Sequence, residues 1–257
     1  MSVMKIDLYI APQLVDEMAL RDRTVVVIDV LRASTTLVTA LRNGARQIIP
    51  ATTVESAVKI SGNLFGDVFL LGGERNGRSI EGFNLGNSPA EYSEERVGGK
   101  SVIFSSSNGT PAIMKGRFAR ELLLCAFVNV SAVVRALREK ERDFTLLCAG
   151  HNGMLSLEDM VCAGMVLHLL TDGDPKRWEL DDGCVAAQSL YRTFGKAIPK
   201  MLRQSEHGRF LEELGFGDDL RTCAAIDTVP VVPRMDGSFL KLKTEPERRE
   251  QPPAPQG

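Results

Sequence analysis

The chain has 257 residues, 44% of them hydrophobic and 25% charged, which excludes a disordered protein and predicts a substantial buried core. Its formal net charge of −2 provides no basic surface field, so we expect no nucleic-acid partner. No apolar run reaches the ~20 residues that span a bilayer, and no signal peptide precedes the first polar segment, so we expect a cytoplasmic protein with no membrane partner.

Short β-branched runs alternate with stretches of helical periodicity over the first 150 residues. Strands are predicted over residues 24–30, 47–51, 68–71, 101–104, 122–126 and 145–149, and helices over 35–42, 53–60 and 130–140. Runs that are apolar throughout, such as residues 25–28, are typical of strands buried on both faces. The sequence therefore predicts an α/β fold, with a mainly parallel or mixed sheet covered by helices on both faces.

After residue 150 helical patterns dominate, beginning with a long helix predicted over residues 157–170, so we expect a more helical C-terminal part. The apolar segment 223–232 is predicted to return a strand to the edge of the sheet, because its prolines exclude an interior position. Residues 1–240 are predicted to form one α/β unit, with a subdivision near residue 150 left open. Residues 241–257 lack core formers and are predicted to be a disordered tail.

In parallel α/β sheets ligands bind beyond the carboxyl ends of the strands, and four turns there carry unusual polar residues. The first turn contains Asp29, Arg32, Ser34 and Thr35. Asp29 is a candidate metal ligand, and Arg32 with the following helix N-terminus is a candidate anion site. An ordinary hydroxyl cap, with Asp29 capping or paired to Arg32, explains the same residues equally well.

The second turn, residues 71–77, is rich in glycine and contains Glu74 and Arg75. Its glycines allow a close approach of the backbone to a ligand, while Glu74 is a candidate metal ligand and Arg75 a candidate anion partner. A flexible surface loop is the alternative interpretation.

The third turn precedes a helix predicted to begin near residue 111 and places several hydroxyls and an amide together. These residues are Ser106, Ser107, Asn108, Gly109 and Thr110. They are candidates for wrapping phosphate oxygens. A simple polar cap is the alternative, although a cap needs one hydroxyl rather than several.

The fourth turn, residues 148–159, contains His151, Glu158 and Asp159. Ser156 and Asp159 have capping-box spacing, so we favour Glu158 over Asp159 as the carboxylate that faces a site. His151 is a candidate acid or base, although a lone histidine in a loop is more often a hydrogen-bonding partner. His207 lies in a His-Gly-Arg segment that reverses the order found in histidine phosphatases, so we assign it no role.

Motifs for nucleotide binding, zinc proteolysis and serine hydrolysis are absent from the sequence. What remains is oxygen chemistry from carboxylates, hydroxyls and backbone amides, together with arginine. That set suits Mg²⁺ and a small phosphorylated anionic substrate.

Taken in order, five segments resemble the 2-phosphosulfolactate phosphatase family, and the resemblance extends over about residues 3–235. The segments are residues 28–36, 72–75, 82–89, 106–110 and 148–159. The resemblance implies an α/β, Mg²⁺-dependent phosphatase that hydrolyses 2-phosphosulfolactate to 3-sulfolactate and phosphate, a step of coenzyme M synthesis. One departure is Asn84, where we expect the family often to carry Asp.

On this basis we expect three catalytic residues, metal ligands drawn from five candidates, and eight residues that contact the substrate. The expected catalytic residues are Asp29, Arg32 and Glu158; the Mg²⁺ ligands are Asp29 and Glu74, joined by Glu158 or Asp159 and by Asp227; the substrate contacts are Ser34, Thr35, Arg75, Ser106, Ser107, Asn108, Gly109 and Thr110. Two alternatives stay open, a phosphatase for a different phosphorylated hydroxy acid and a non-catalytic protein that binds an anionic metabolite. A homo-oligomer is also left open.

Overall fold

The computed structural model of the chain describes residues 3–62, 69–140, 142–172 and 175–242. The strands in these ranges are β1 (Met4–Tyr9), β2 (Thr24–Ile28), β3 (Gln47–Pro50), β4 (Phe69–Arg75), β5 (Arg78–Ser79), β6 (Ser101–Ser105), β7 (Glu121–Cys125), β8 (Phe144–Cys148), β9 (Trp178–Leu180), β10 (Pro233–Asp236) and β11 (Phe239–Leu242). The α-helices are α1 (Glu17–Leu20), α2 (Ala33–Arg42), α3 (Val54–Gly62), α4 (Glu94–Val97), α5 (Gly109–Lys115), α6 (Val130–Arg138), α7 (Leu157–Thr171), α8 (Asp182–Phe194), α9 (Ile198–Gln204), α10 (Glu206–Glu213) and α11 (Gly217–Ala224).

The described strands form one mixed sheet in the order β5-β4-β6-β3-β11-β10-β7-β2-β8-β1-β9. Strands β4, β6 and β3 are parallel, and so are β7, β2, β8, β1 and β9. The antiparallel hairpin β10–β11 lies between these two groups and pairs antiparallel with β3 on one side and β7 on the other. The predicted mainly parallel or mixed sheet is confirmed.

The sheet is buried on both faces, as the apolar runs predicted. Val26 and Ile28 of β2 belong to one core cluster, packed with residues of α6 and α7, whereas Val25 and Val27 belong to a second cluster with residues of α2. Because side chains alternate along a strand, a run that is apolar at every position has to be covered on both sides. The helices therefore lie on both faces of the sheet, as expected.

All six predicted strands and all five predicted helices occur, with ends shifted by a few residues. Residue 68, where we predicted the third strand to begin, lies outside the described residues. The predicted excess of helix after residue 150 is also confirmed, by α7 to α11. No helix within the described ranges is both long enough and apolar enough to cross a membrane.

The strand predicted within residues 223–232 is wrong, because Cys223 belongs to α11 and the returning strand starts only at Pro233. Lys241 and Leu242, which we assigned to the tail, form the end of β11. Gly237 and Ser238 form the two-residue loop between β10 and β11, a typical hairpin signal that we did not use. The rest of the predicted tail, residues 243–257, lies outside the described residues.

Strand β1 is also missing from our predictions. Its burial alternates along Met4–Tyr9, with Lys5 exposed and Asp7 half-buried between buried apolar residues. It therefore lacks the continuous apolar run by which we predicted the other parallel strands. The alternation of apolar and polar residues along β1 would have predicted it.

Candidate active site

The four polar turns identified in the sequence meet around one cleft of about 400 Å³. Helix α10 forms much of the remaining wall. The cleft is lined by Asp29, Leu31, Arg32, Glu74, Asn76, Gly77, Asn87, Ser107, Asn108, His151, Asn152, Glu206, His207, Phe210 and Leu211. The expected convergence of the turns is confirmed, and it brings the carboxyl end of β2 against that of β6, although the two strands belong to different parallel groups.

Asp29 follows β2 directly and lines the cleft with a buried carboxylate that is 4% exposed. Its Oδ1 accepts a hydrogen bond from the Ala33 backbone N–H at 3.1 Å, at the start of α2, whereas Oδ2 accepts none from any described residue. Oδ2 is close to the backbone of Gly109, where a Cβ would lie only 2.4 Å away. A glycine at position 109 therefore gives the third turn room to approach this carboxylate.

The electrostatic environment of Asp29 is unfavourable for its negative charge. Burial, followed by the carboxylates of Glu74 and Glu158, raises the pKa of Asp29 to about 7, although His207 and the Ala33 N–H act in the opposite direction. Burial has this effect because it removes the charged form from water. A cation in the cleft would relieve this cost.

Glu74, at the end of β4, holds the second and third turns together. Its Oε1 accepts the backbone N–H of Ser107 at 2.7 Å, and its Oε2 accepts the Gly77 N–H at 2.8 Å and the Ser107 hydroxyl at 3.2 Å. A carboxylate has about four acceptor positions, so these three bonds leave room for one further interaction. Glu74 faces the cleft, as the sequence predicted for a metal ligand.

Arg32 lines the cleft, but its guanidinium is already occupied by protein groups. It pairs with Asp219 of α11 at 2.5 Å, donates to the Gly77 carbonyl at 3.0 Å, and stacks at 4.2 Å on the ring of Phe216. The side chain of Arg32 is only 2% exposed. This geometry makes Arg32 a link between the first turn and α11, and its ion pair is with Asp219 rather than with Asp29.

Most of the predicted phosphate-binding hydroxyls point into the backbone rather than into the cleft. Ser34 Oγ accepts the Asp29 N–H at 3.1 Å, Thr35 Oγ1 donates to the Val30 carbonyl at 2.9 Å, and Ser106 and Thr110 cap each other's backbone N–H groups. All four are buried and none of them lines the cleft. They shape the strand-to-helix turns, which is the role that the simple capping alternative assigned to them.

Of the remaining predicted substrate contacts, only Ser107 and Asn108 reach the cleft. Arg75 lies outside its lining and donates to the carbonyls of Glu74 and Thr52 and to the hydroxyl of Ser105. Gly109 acts through its small size beside Asp29. The anion-binding role expected of Arg75 therefore has no support in its position.

Asp159 and Asp227 are engaged elsewhere. Asp159 accepts the backbone N–H groups of Val30 at 2.9 Å and Gly150 at 3.1 Å, and so ties the first turn to the fourth. Burial, reinforced by the neighbouring Asp29, raises the pKa of Asp159 well above its ordinary value.

Asp227 caps the start of α6, where both of its oxygens accept hydrogen bonds from Ser131. Neither Asp159 nor Asp227 lines the cleft. The described residues contain no group of three or more His, Cys, Asp or Glu side chains placed to hold a metal ion. The five predicted ligands are therefore not assembled into one cluster.

Glu158 faces a pair of histidines, His151, which the sequence marked as a candidate acid or base, and His207, to which we assigned no role. Glu158 is 1% exposed, and its Oε1 lies 3.4 Å from Nδ1 of His207 on α10. The rings of His207 and His151 stack with their centroids 4.3 Å apart. Burial alone would raise the pKa of Glu158, but the combined effects of His207, the Glu158 backbone N–H and the Ser156 hydroxyl outweigh burial and hold the pKa below the ordinary value. His151 could be identified from the sequence because it lies in the fourth turn. Nothing in the sequence around His207 indicated that α10 would cover the cleft.

Together the fold and the cleft define an α/β protein whose strand-end turns enclose carboxylates, amides and imidazoles, an arrangement typical of enzymes that act on anions with a bound cation. The family model described as 2-phosphosulpholactate phosphatase matches residues 9–238. The chain belongs to the 2-phosphosulpholactate phosphatase family.

Curated relatives support this membership over nearly the whole chain. A protein of Thermotoga maritima is 41% identical over 224 residues, which is 87% of this chain and 94% of that protein. Proteins of Caldanaerobacter subterraneus subsp. tengcongensis and Clostridium acetobutylicum are 39% and 38% identical over 90% of this chain, and the matches cover 95% and 97% of those proteins. Each of the three is named a probable 2-phosphosulfolactate phosphatase.

Proposed function

We propose that this protein is a Mg²⁺-dependent phosphatase that hydrolyses 2-phosphosulfolactate to 3-sulfolactate and phosphate. The observation that carries the proposal is the buried Asp29 carboxylate, which presents an oxygen without a hydrogen bond to a cleft built from the segments that resemble the family. Family membership supports the choice of substrate. The same proposal places the reaction in the cytoplasm, as a step of coenzyme M biosynthesis.

Mg²⁺ fits the carboxylates that face the cleft. It prefers oxygen ligands, keeps several waters and often binds through only one or two carboxylates, so it does not require a larger acidic cluster. Asp29, with Oδ2 free, and Glu74, with an acceptor position remaining, are the residues that would hold it. The pKa of about 7 at Asp29 reflects burial first and the carboxylates of Glu74 and Glu158 second, and a cation would offset both costs.

When bound, Mg²⁺ would supply the positive charge that offsets the charge of the phosphoryl oxygens. The chain itself would position the substrate through side-chain amides. The amide nitrogens of Asn76 and Asn108 face the cleft and make no hydrogen bond with any described residue, so they are available as donors to an oxyanion. Leu31, Phe210 and Leu211 supply the apolar part of the lining and reduce the access of water.

A second candidate function follows from the scarcity of cations in the lining. Among the described residues that line the cleft there is no lysine, and Arg32 is already paired with Asp219. A sulfonate therefore has no lysine and no unpaired arginine there, and Arg32 offers it only the N–H groups that Asp219 and Gly77 do not use. This observation favours a phosphorylated 2-hydroxy acid that carries no sulfonate, such as 2-phospholactate. A non-catalytic anion-binding role is disfavoured, because Asp29 and Glu74 would repel an anion unless a cation lay between them.

The test is a comparison of phosphate release from 2-phosphosulfolactate and 2-phospholactate, each assayed in chelator and after Mg²⁺ is restored. We expect turnover only with Mg²⁺, and the substrate with the higher kcat/KM decides between the two candidates. Asp29→Asn should remove activity, whereas Asp218→Asn, at a side chain that is 95% exposed, serves as the matched control. Full activity in chelator would overturn the metal assignment, and binding of either ester without turnover would favour the non-catalytic alternative.

A further inference from the structure

The contact between Glu158 and His207 is unusual for a buried carboxylate. Glu158 is 1% exposed, and neither of its oxygens accepts a well-formed hydrogen bond from a described residue. Nδ1 of His207 lies 3.4 Å from Oε1, and the Ser156 hydroxyl and the backbone N–H of Glu158 contribute less to the stabilisation of its charge. Buried charges normally require both pairing and hydrogen bonds, so a carboxylate supported mainly by one imidazole is expensive for stability. Such an arrangement points to a role in chemistry.

The geometry fixes which nitrogen of His207 is available. Nδ1 faces Glu158, and Nε2 has no hydrogen-bond partner among the described residues, while the ring lines the same cleft as Asp29. A histidine held in this way by a carboxylate has a defined tautomer and ring orientation. Its free nitrogen can exchange a proton with a bound ligand.

His151 supports this orientation from the other face of the ring. The two imidazoles stack with their centroids 4.3 Å apart and their planes inclined by 32°. Burial, and then the proximity of His207, lowers the pKa of His151. The side-chain amide of Asn152 lies 3.1 Å from Nε2 of His151 and keeps that ring in place.

We infer that His207 is the general acid of the reaction, that Glu158 is its positioning residue, and that His207 Nε2 donates a proton to the ester oxygen of the substrate. The inference rests on the proposed phosphatase function and adds a catalytic residue to it. Such a residue is needed because the alkoxide of a hydroxy acid is a poor leaving group, and protonation as the bond breaks removes its charge.

The bond between phosphorus and the ester oxygen breaks, its electron pair stays on that oxygen, and the Nε2 proton converts the oxygen to the alcohol of the product. The oxygen of a water molecule forms the new bond to phosphorus. One proton lost as this water becomes part of inorganic phosphate restores the charge on His207.

The charges around His207 are compatible with this role. Glu158 faces it from α7, His151 from the fourth turn and Asp29 from the first turn, while Glu206 precedes it on α10 and also lines the cleft. Three carboxylates therefore surround the ring, and the rings of His151 and Phe210 pack against it with centroids 4.3 Å and 6.3 Å away. These carboxylates compensate positive charge that passes through the ring during proton exchange.

The experiment compares two esters that differ mainly in the acidity of the alcohol released, 2-phospholactate and its 3,3,3-trifluoro analogue. The trifluoromethyl group makes the leaving alcohol more acidic, so its departure depends less on a general acid. For His207→Gln we expect kcat on 2-phospholactate to fall by about 10²-fold to 10³-fold, and kcat on the trifluoro analogue to fall by about tenfold or less. For Glu158→Gln we also expect kcat to fall more on 2-phospholactate than on the trifluoro analogue, but both losses should be smaller than those of His207→Gln. His168→Gln, at an exposed histidine on α7, is the matched control and should change neither rate.

A second measurement is needed if the wild type does not hydrolyse both 2-phospholactate and its trifluoro analogue. The isotope effect of ¹⁸O in the bridging position is measured on the substrate that the wild type hydrolyses. It should increase in His207→Gln, because the leaving oxygen then carries more negative charge in the transition state.

Folding of the variants is checked by thermal denaturation, because His207→Gln leaves Glu158 buried without its partner. The double variant Glu158→Gln with His207→Gln removes the unpaired charge, and it should regain stability without regaining activity on 2-phospholactate. Equal losses on both esters, or an unchanged isotope effect, would overturn the role of His207 while leaving the phosphatase proposal intact. Absence of Mg²⁺-dependent turnover in the wild type would instead contradict the phosphatase proposal itself.

Discussion

Replacing Asp29 with Asn should stabilise the metal-free protein at neutral and alkaline pH while abolishing turnover. The pKa of Asp29 rises from an ordinary 3.8 to about 7 on folding. The folded state therefore holds a proton on this carboxyl between pH 4 and 7, where the unfolded chain has lost it. By linkage, the associated stability is fully present below about pH 4 and is lost as the pH rises to about 7.

The size of this change in unfolding free energy follows from the pKa shift of Asp29. About three pKa units at ~1.4 kcal/mol each give a penalty on the order of 4 kcal/mol for folding with Asp29 ionised. Asn carries no such penalty, and its side-chain oxygen can still accept the Ala33 N–H that Oδ1 accepts. The unfolding free energy of Asp29→Asn minus that of the wild type should therefore rise by on the order of 4 kcal/mol between pH 4 and pH 8.

The assay is equilibrium denaturation in chelator across this pH range, followed by the same series in Mg²⁺. Asp218→Asn, which removes an exposed carboxylate, should show no such rise. Mg²⁺ should stabilise the wild type and not Asp29→Asn, because a ligand stabilises only a folded state that binds it. A difference that stays flat with pH would refute the electrostatic account of Asp29, and equal stabilisation of both proteins by Mg²⁺ would refute its role as a ligand.

Three further predictions concern residues that the sequence assigned to the site. Arg32→Met should destabilise the protein by about 3–5 kcal/mol in denaturation experiments, because it leaves a buried acidic partner unpaired. Gly109→Ala should cost about 1–3 kcal/mol and reduce kcat, because its Cβ would lie 2.4 Å from Asp29 Oδ2. Gly62→Ala, where a Cβ meets nothing within 4 Å, should leave kcat unchanged. Asp227→Ala should cost about 1 kcal/mol, the contribution of a helix cap, with kcat and Mg²⁺ affinity retained.

Each of these predictions has a contrary outcome. A stable, inactive Arg32→Met protein would restore the interpretation of Arg32 as a phosphate ligand. Normal turnover in Gly109→Ala would show that the third turn can retreat from Asp29 without consequence. Loss of Mg²⁺ affinity in Asp227→Ala would return that residue to the metal site.

The strands and the location of the cleft could be predicted because local signals and a general rule agreed. The apolar run of β2 indicated a strand buried on both faces, and the rule that ligands bind beyond strand carboxyl ends then selected Asp29. The roles of the hydroxyls could not be predicted, because a serine that caps a helix and a serine that binds phosphate occupy the same position in the sequence after a strand. The hydroxyls of Ser106 and Thr110 accept hydrogen bonds from each other's backbone N–H groups, which the sequence does not specify.

The pairing of Glu158 with His207 could not be predicted for a different reason. It depends on the packing of α10 over the fourth turn, and nothing in the spacing of α7 and α10 along the chain specifies that packing. Arg32 shows the same limit, since its partner Asp219 lies on α11. Contacts between segments far apart in the sequence therefore determine which charged side chains can still bind a ligand.

The hairpin β10–β11 has a consequence for how the chain acquires its structure during synthesis. Its strands are the last described elements to leave the ribosome, yet they lie between β3 and β7 in the middle of the sheet. Until residue 242 has emerged, both β3 and β7 are open edges, each able to pair with another nascent chain. Closing the sheet therefore waits for contacts between residues far apart in the chain, such as Ile48 and Leu240, which slows folding and concentrates the risk of aggregation in this late step.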